Sequence, residues 1–499
     1  MKYVLGIDLG TSAVKILLVN KLGQVTQEVS KSLTLLQEKT GHSEQNPEEW
    51  VQQTIEGIVD LLGSFKGKLS DIEGISFSGQ MHGLVLLDNQ KEVLRNAILW
   101  NDTRTSEECK EIYNIIGEDR LYNITKNPAL EGFTLPKILW VKQHEPEIFK
   151  QVDKFLLPKD YVRYRLSNEL QIDYSDAAGT LLLDVPSRRW SQTICDLLDI
   201  DINICPPLVA SHDEVGTLTS EFAEQTGLNI DTRVFAGGAD NACGAIGSGI
   251  LNEGKTLCSI GTSGVVLSYE SHENKKFSGN VHYFNHSAPD AFYIMGVTLS
   301  AGHSLNWFKD VFTKNNSFDT LLSQLTDVPV GANGLLFTPY LVGERTPHAD
   351  SNIRASFIGM DTSHRKKDFV RAVVEGVTFS LNESIHNFRR HGKKIDTVVS
   401  IGGAAKNEDW LQIQADIFNA KVVKLSSEQG PGMGAAMLAA YGCNWFSTLQ
   451  ECADQFLNIE KEIHPNPENV NKYEKLFNVY RQVYDDTASI NRELSNYRY

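Results

Sequence analysis

The chain has 499 residues, 41% of them hydrophobic and 22% charged, with a formal net charge of −16. That length exceeds what one hydrophobic core sustains, so two or three domains are expected, and the acidic balance argues against nucleic-acid and anionic-membrane surfaces, which select for basic faces. Seven cysteines without C-x-x-C or recurrent spacing read as thiols of a reducing compartment; with no leader segment and no apolar stretch of bilayer length, a soluble cytoplasmic protein is expected.

In chain order, the opening predicts a three-stranded meander: residues 3–7, then 14–19 after a Gly10-Thr11-Ser12 turn, then a strand after Leu22-Gly23. Asn46 and Pro47 suit the cap and first turn of a helix whose apolar face is Trp50, Ile55, Ile58, Val59 and Leu62. Strands at 72–78 and 84–88 flank a turn carrying Gln80, Met81 and His82. Taken singly, His82 reads as a structural histidine and Trp100 as core. An apolar strand at 234–236 leads into a glycine-rich turn with Asp240 and Asn241. A carboxylate there either caps the next helix or accepts a proton from a hydroxyl nucleophile.

The second half repeats the first: residues 260–269 echo 9–18, and Gly261-Thr262-Ser263 matches Gly10-Thr11-Ser12. Each turn offers backbone N–H groups and two hydroxyls, the donors that phosphate oxygens require, so two facing turns suit a polyphosphate. Asp8 precedes the first turn, whereas Ser259 precedes the second. Asp8 is therefore a turn cap or an acid beside a metal-bound phosphate, which puts Mg²⁺ on that side. Lys15 either reaches the phosphates or is a solvated strand lysine. A long helix from about Asp368 carries Phe369, Val373, Val377, Leu381, Ile385 and Phe388 at helical spacing and closes at Gly392. The strand at 398–403 ends in Gly402 and Gly403, a nucleotide edge or simply a tight exit, before a helix with Trp410, Leu411, Ile417 and Phe418. Residues 249–256 fit the P-loop pattern, but a helix before and a strand after invert its context, so no P-loop is expected.

The order of these segments resembles the FGGY carbohydrate kinases. It rests on GIDLGTS (6–12), SGQMHG (78–83), AILWNDTR (97–104), GFTLPKILW (132–140), LPKDY (157–161) and SDAAGT (175–180) in the first half, with GGADN (237–241), IGTSG (260–264), TPYLVGERTPH (338–348) and SIGGAA (400–405) after them. The resemblance implies an α/β fold of two actin-like (ribonuclease H-like) domains, each a mixed sheet wrapped by helices, with the active site in the interdomain cleft. Residues 1–250 would form the sugar and metal side and 251–499 the nucleotide side. It implies Asp240 as the catalytic base, Met81, His82, Asp240 and Asn241 as sugar contacts, and Asp8 near Mg²⁺. Gly10, Thr11, Ser12, Gly261, Thr262 and Ser263 match the phosphate loops, and Gly402, Gly403 and Asn407 the adenosine segment. Ala239 departs from the pattern, where a third glycine is common.

Within the family the pattern is nearest the bacterial kinases of xylulose, which implies ATP-dependent transfer to D-xylulose. Ribulose, glycerol and gluconate are the alternative acceptors, and glycerol kinases carry Arg-Glu where Met81-His82 stands. An actin-like or Hsp70-like ATPase would lack the Gln80-Met81-His82 and Asp240-Asn241 pocket. The role of residues 443–499 and the oligomeric state, a homodimer included, stay open.

Overall fold

Two mixed sheets of seven strands each organise the chain, in a computed structural model that describes residues 1–273, 275–277, 281–313, 317–427 and 429–498. Tyr3–Leu9, Ala13–Asn20 and Val25–Ser32 form the antiparallel meander. Ile72–Gly79 and Arg233–Phe235 extend it in parallel, and Glu214–Thr217 closes the edge. The second sheet follows the same plan. Gly254–Ile260, Gly264–Glu270 and Phe292–Thr298 make its meander, Ile395–Gly402 and Lys421–Leu425 run parallel, and Ile459–Ile463 closes the edge. The Gly-Thr-Ser echo is thus a repeat of architecture. Central strands such as Tyr3–Leu9 are apolar on both faces because helices cover both, whereas Val25–Ser32 alternates half-buried and exposed residues, as an outer strand does.

The helix Pro47–Gly63 begins where its cap predicts, the Asn46 side chain accepting from Glu48 N at 3.0 Å. Its buried stripe differs from the expected one: Trp50, Val51, Thr54, Ile58 and Leu61 face inward, and Val59 is exposed. Gly57 explains the rotation, since a Cβ there would stand 2.7 Å from Ile16 Cδ1, and the helix turns this bare position onto the sheet. The helix Lys366–Arg390 is buried around most of its girth, because the helix Pro467–Ser495 covers what would be its outer face, Phe379 meeting Tyr473 and Phe477.

One helix crosses between the halves. Gly430–Gly442 lies in sequence between the last two strands of the second sheet, Lys421–Leu425 and Ile459–Ile463, but packs on the first, with Gly432 O so near Gly6 that a Cβ on Gly6 would lie 2.3 Å from it. The same helix lies against Asp240–Ile246, and a Cβ at Gly434 would stand 1.9 Å from Cys243 O. Such an approach requires glycine. No helix among the described residues is long and apolar enough to cross a membrane.

Candidate active site

In both Gly-Thr-Ser turns the glycine amide closes the turn, Gly10 N donating to Ala13 O and Gly261 N to Ser263 O, while most of the carbonyls are engaged and the next two amides stay free. In the first, Leu9, Thr11 and Ser12 carbonyls accept from Gln80 N, Gln45 Nε2 and Leu33 N. In the second, Gly261 and Thr262 carbonyls accept from the residues that open the helix Gly302–Phe312, namely Ala301, Gly302 and His303. Among the described residues no protein acceptor takes the N–H groups of Thr11, Ser12, Thr262 or Ser263. Two clusters of unpaired amides with adjacent hydroxyls are what a polyphosphate needs.

Asp8 lies at the end of its strand, between Lys15 and Ser78 on the neighbouring strands. Burial raises its carboxyl above the usual range, and Ser78 and Lys15 oppose the shift. The Lys15 ammonium faces Asp8 across the ladder but is held by Glu28 at 2.9 Å and Gln429 at 2.5 Å. Asp240 opens the helix Asp240–Ile246, with Ala239 rather than Asp240 as its N-cap. Its Oδ1 accepts from Asn241 N at 2.6 Å and Asn241 Nδ2 at 2.9 Å, and Oδ2 has no protein donor among the described residues. Burial, and then the negative charge of Asp8, lift the Asp240 carboxyl from 3.8 to about 7, against the pull of the Asn241 bonds. A carboxyl poised near neutrality with a free oxygen in a cleft is suited to general-base work.

A buried ion cluster holds this turn. Lys159 lies 2.7, 2.9 and 3.1 Å from Asp160, Asp173 and Asp176, all four fully buried. Asp173 accepts from the Ser175 hydroxyl at 2.6 Å, and Ser175 Oγ accepts from Ala239 N at 2.9 Å, one residue before Asp240. Lys159, Asp160, Ser175 and Asp176 belong to the LPKDY and SDAAGT segments and Asp173 lies just before the second, but their common anchoring task exists only in three dimensions.

Asp240 and Asn241 open onto a cavity of ≈ 380 Å³ shared by both halves, with Met81, His82, Trp100 and Phe133 from the first and Ser263 from the second. The structure therefore brings together the four expected sugar contacts. Trp100, expected in the core, is 45% exposed, and its indole N–H donates to Thr11 Oγ1 at 2.9 Å, tying this cavity to the first Gly-Thr-Ser turn. The His82 backbone is held in the left-handed region, φ 68°, by Thr134 Oγ1 and Lys137 Nζ, which both donate to its carbonyl. Burial brings the Lys137 ammonium down to about 7.

A second cavity, ≈ 530 Å³, borders the other side of the Gly261 turn. Gly261, Thr262, Gly403 and Asn407 line it, as expected of a nucleotide site, and so do Asn306 and Lys309, which the sequence did not single out. Gly402 has φ 86° and its Cβ would meet Ile260 O at 2.5 Å, so the glycine pair is a tight strand exit that also edges this cavity. The Asn407 side-chain oxygen accepts from Trp410 N at 2.8 Å, which leaves its amide donors for the cavity. Asn306 and Lys309 carried no local signal because a polar helix face is ordinarily solvated.

Comparison with known proteins follows the same division. The N-terminal domain profile of the FGGY family of carbohydrate kinases matches residues 3–247, and the C-terminal domain profile matches residues 256–443. The chain is 60% identical over its full length, and over the full length of the relative, to xylulose kinase of Bacillus subtilis. Its structure is similar to that of ligand-bound xylulose kinase from Lactobacillus acidophilus (TM-score 0.93, 29% identity, 99% and 100% of the two chains covered). It is equally similar to gluconate kinase from the same organism (TM-score 0.93, 30% identity, 99% of each chain). The actin-like two-domain architecture and the sugar-kinase activity are thereby shown: the chain belongs to the FGGY family of carbohydrate kinases.

Proposed function

We propose that the protein phosphorylates D-xylulose with ATP, giving D-xylulose 5-phosphate and ADP. The observation that carries this reading is Asp240, a carboxyl near neutrality with one oxygen free, between a sugar-sized cavity and two turns of unpaired amides. The likeness in sequence to a xylulose kinase, at 60% over the whole length, supports the choice of sugar. Asp240 takes the proton of the terminal hydroxyl. That oxygen bonds to the γ-phosphorus as the bond from phosphorus to the β,γ-bridging oxygen breaks, and ADP leaves. Amides of Thr11, Ser12, Thr262 and Ser263 donate to the phosphate oxygens, and Met81, His82 and Asn241 orient the sugar.

The residues fit a divalent cation. Asp8 and Asp240 bring two carboxylates to one place, and the cation beside them, Lys15, is already held by Glu28. No cluster of three acidic, histidine or cysteine ligands exists among the described residues, so Asp8 would hold a largely hydrated Mg²⁺. Such an ion, when bound with ATP, neutralises phosphate charge. Residues 1–250 then serve sugar and metal, and 251–499 bind the nucleotide and complete the far wall of the sugar cavity, in the cytoplasm. ADP release measured against D-xylulose, D-ribulose, L-ribulose, glycerol and gluconate tests the reading. Preference for any acceptor but D-xylulose would overturn the substrate and leave the family intact.

A further inference from the structure

The end of the sugar cavity remote from Asp240 is furnished by the second half of the chain. A series of contacts orders the cavity: Asn241 Nδ2 lies 3.5 Å from Met81 Sδ, and His82 follows Met81. The His82 ring packs on Phe133 at 4.5 Å between centroids and on Phe284 at 6.3 Å, and Phe284 stacks on His282 at 5.7 Å. Arg345 closes this end, its charge acting on both His82 and His282, whereas the charge acting on Asp240 is that of Asp8.

The hydrogen-bonding state of this end is fixed by its surroundings. His82 Nδ1 lies 2.6 Å from Gly179 O, and only a protonated nitrogen donates to a carbonyl. Asn127 Nδ2 donates to Thr125 O and Tyr283 O, which orients its oxygen toward His282 Nδ1 at 3.1 Å, so that nitrogen too carries the proton. Burial brings both imidazoles down to about 3, so both are neutral and both Nε2 atoms keep a lone pair. Neither Nε2 meets a protein donor among the described residues, and no acceptor there reaches the Arg345 guanidinium. A guanidinium stays charged, and half-buried it requires an oxygen.

Two lone pairs and one donor fork, over the apolar rings of Phe133 and Phe284, call for a group that accepts at its centre and donates on either side. A carboxylate offers acceptors alone and would set its oxygens against the imidazole lone pairs. We propose that His82, His282 and Arg345 form a subsite that reads the 2-keto end of the sugar, Arg345 donating to the C2 carbonyl oxygen and the two Nε2 atoms accepting from the flanking hydroxyls. The inference rests on the assignment of a ketose whose far hydroxyl meets Asp240.

The test compares the KM of D-xylulose with the inhibition constant of D-arabinitol, its C2-reduced counterpart, in wild type, Arg345→Met, Arg345→Lys and His282→Phe. Loss of a charged hydrogen bond is worth about 10- to 100-fold. Arg345→Met is expected to raise the KM of D-xylulose by that factor and the D-arabinitol constant by less than about threefold, with Arg345→Lys recovering part of the loss. His282→Phe is expected to weaken both, since both ligands carry the hydroxyl. ATP affinity by calorimetry should match wild type in each folded variant. A wild-type enzyme that turns over D-xylulose, but whose Arg345→Met variant weakens ketose and alditol equally or not at all, would overturn the subsite alone. A wild-type enzyme inactive on D-xylulose would overturn the substrate and the subsite together.

Discussion

Asp240→Asn keeps the shape of the side chain and its bonds to Asn241 while removing the base. With the carboxyl at about 7, about half of the enzyme holds an ionised base at pH 7, so kcat/KM of wild type should climb through that pH and level off above it. A positioned base contributes about 10²- to 10⁴-fold, or ~3 to 5 kcal/mol of barrier. The variant's kcat is expected to fall by that much and to lose the acid limb, with nucleotide affinity unchanged. ADP release between pH 5.5 and 9, with calorimetry for the nucleotide, measures both. Stability moves the other way. The folded-state value lies above that of the unfolded chain, so the folded protein binds more protons and loses stability as pH rises from about 4 to 7. An amide never ionises, and ligand-free Asp240→Asn should melt above wild type at pH 7.5. Near-normal kcat would refute the base; a loss of turnover with a lower melting temperature would mark Asp240 as a structural residue.

Asp8→Asn removes the like charge that helps lift Asp240, so the acid limb of kcat/KM should move below pH 7 and the Mg²⁺ dependence of turnover should weaken; an unmoved limb would separate the two carboxylates. Replacing Met81 and His82 with Arg and Glu should abolish D-xylulose turnover and leave ATP binding near wild type, and equal loss of ATP binding by calorimetry would put that turn on the wrong side of the cleft. Gly434→Ala drives a methyl into the Cys243 carbonyl and should cost about 1–3 kcal/mol in urea unfolding; an unaffected midpoint would show that the two helices part without cost.

The meander, the Asn46 cap, the paired Gly-Thr-Ser turns and the acids at 8 and 240 were legible in the sequence because each expresses a local requirement. A strand needs apolar residues, a cap a side-chain oxygen, and a turn that offers amides needs small residues. The rest depended on which distant segments meet. Val59 proved exposed because Gly57 rotates its helix onto Ile16, and the helix Lys366–Arg390 lost its outer face to Pro467–Ser495. Residues 443–499, silent in the sequence, supply the edge strand Ile459–Ile463 and that covering helix. Trp100 read as core, Arg345 stood in the 338–348 segment without a role, and His282 and Lys309 gave no signal, until folding set each beside a cavity. Local sequence specifies backbone conformation and the chemistry of a single turn, but a site shared by two sheets takes its partners, its tautomers and its charges from burial and long-range contact, which only the tertiary structure decides.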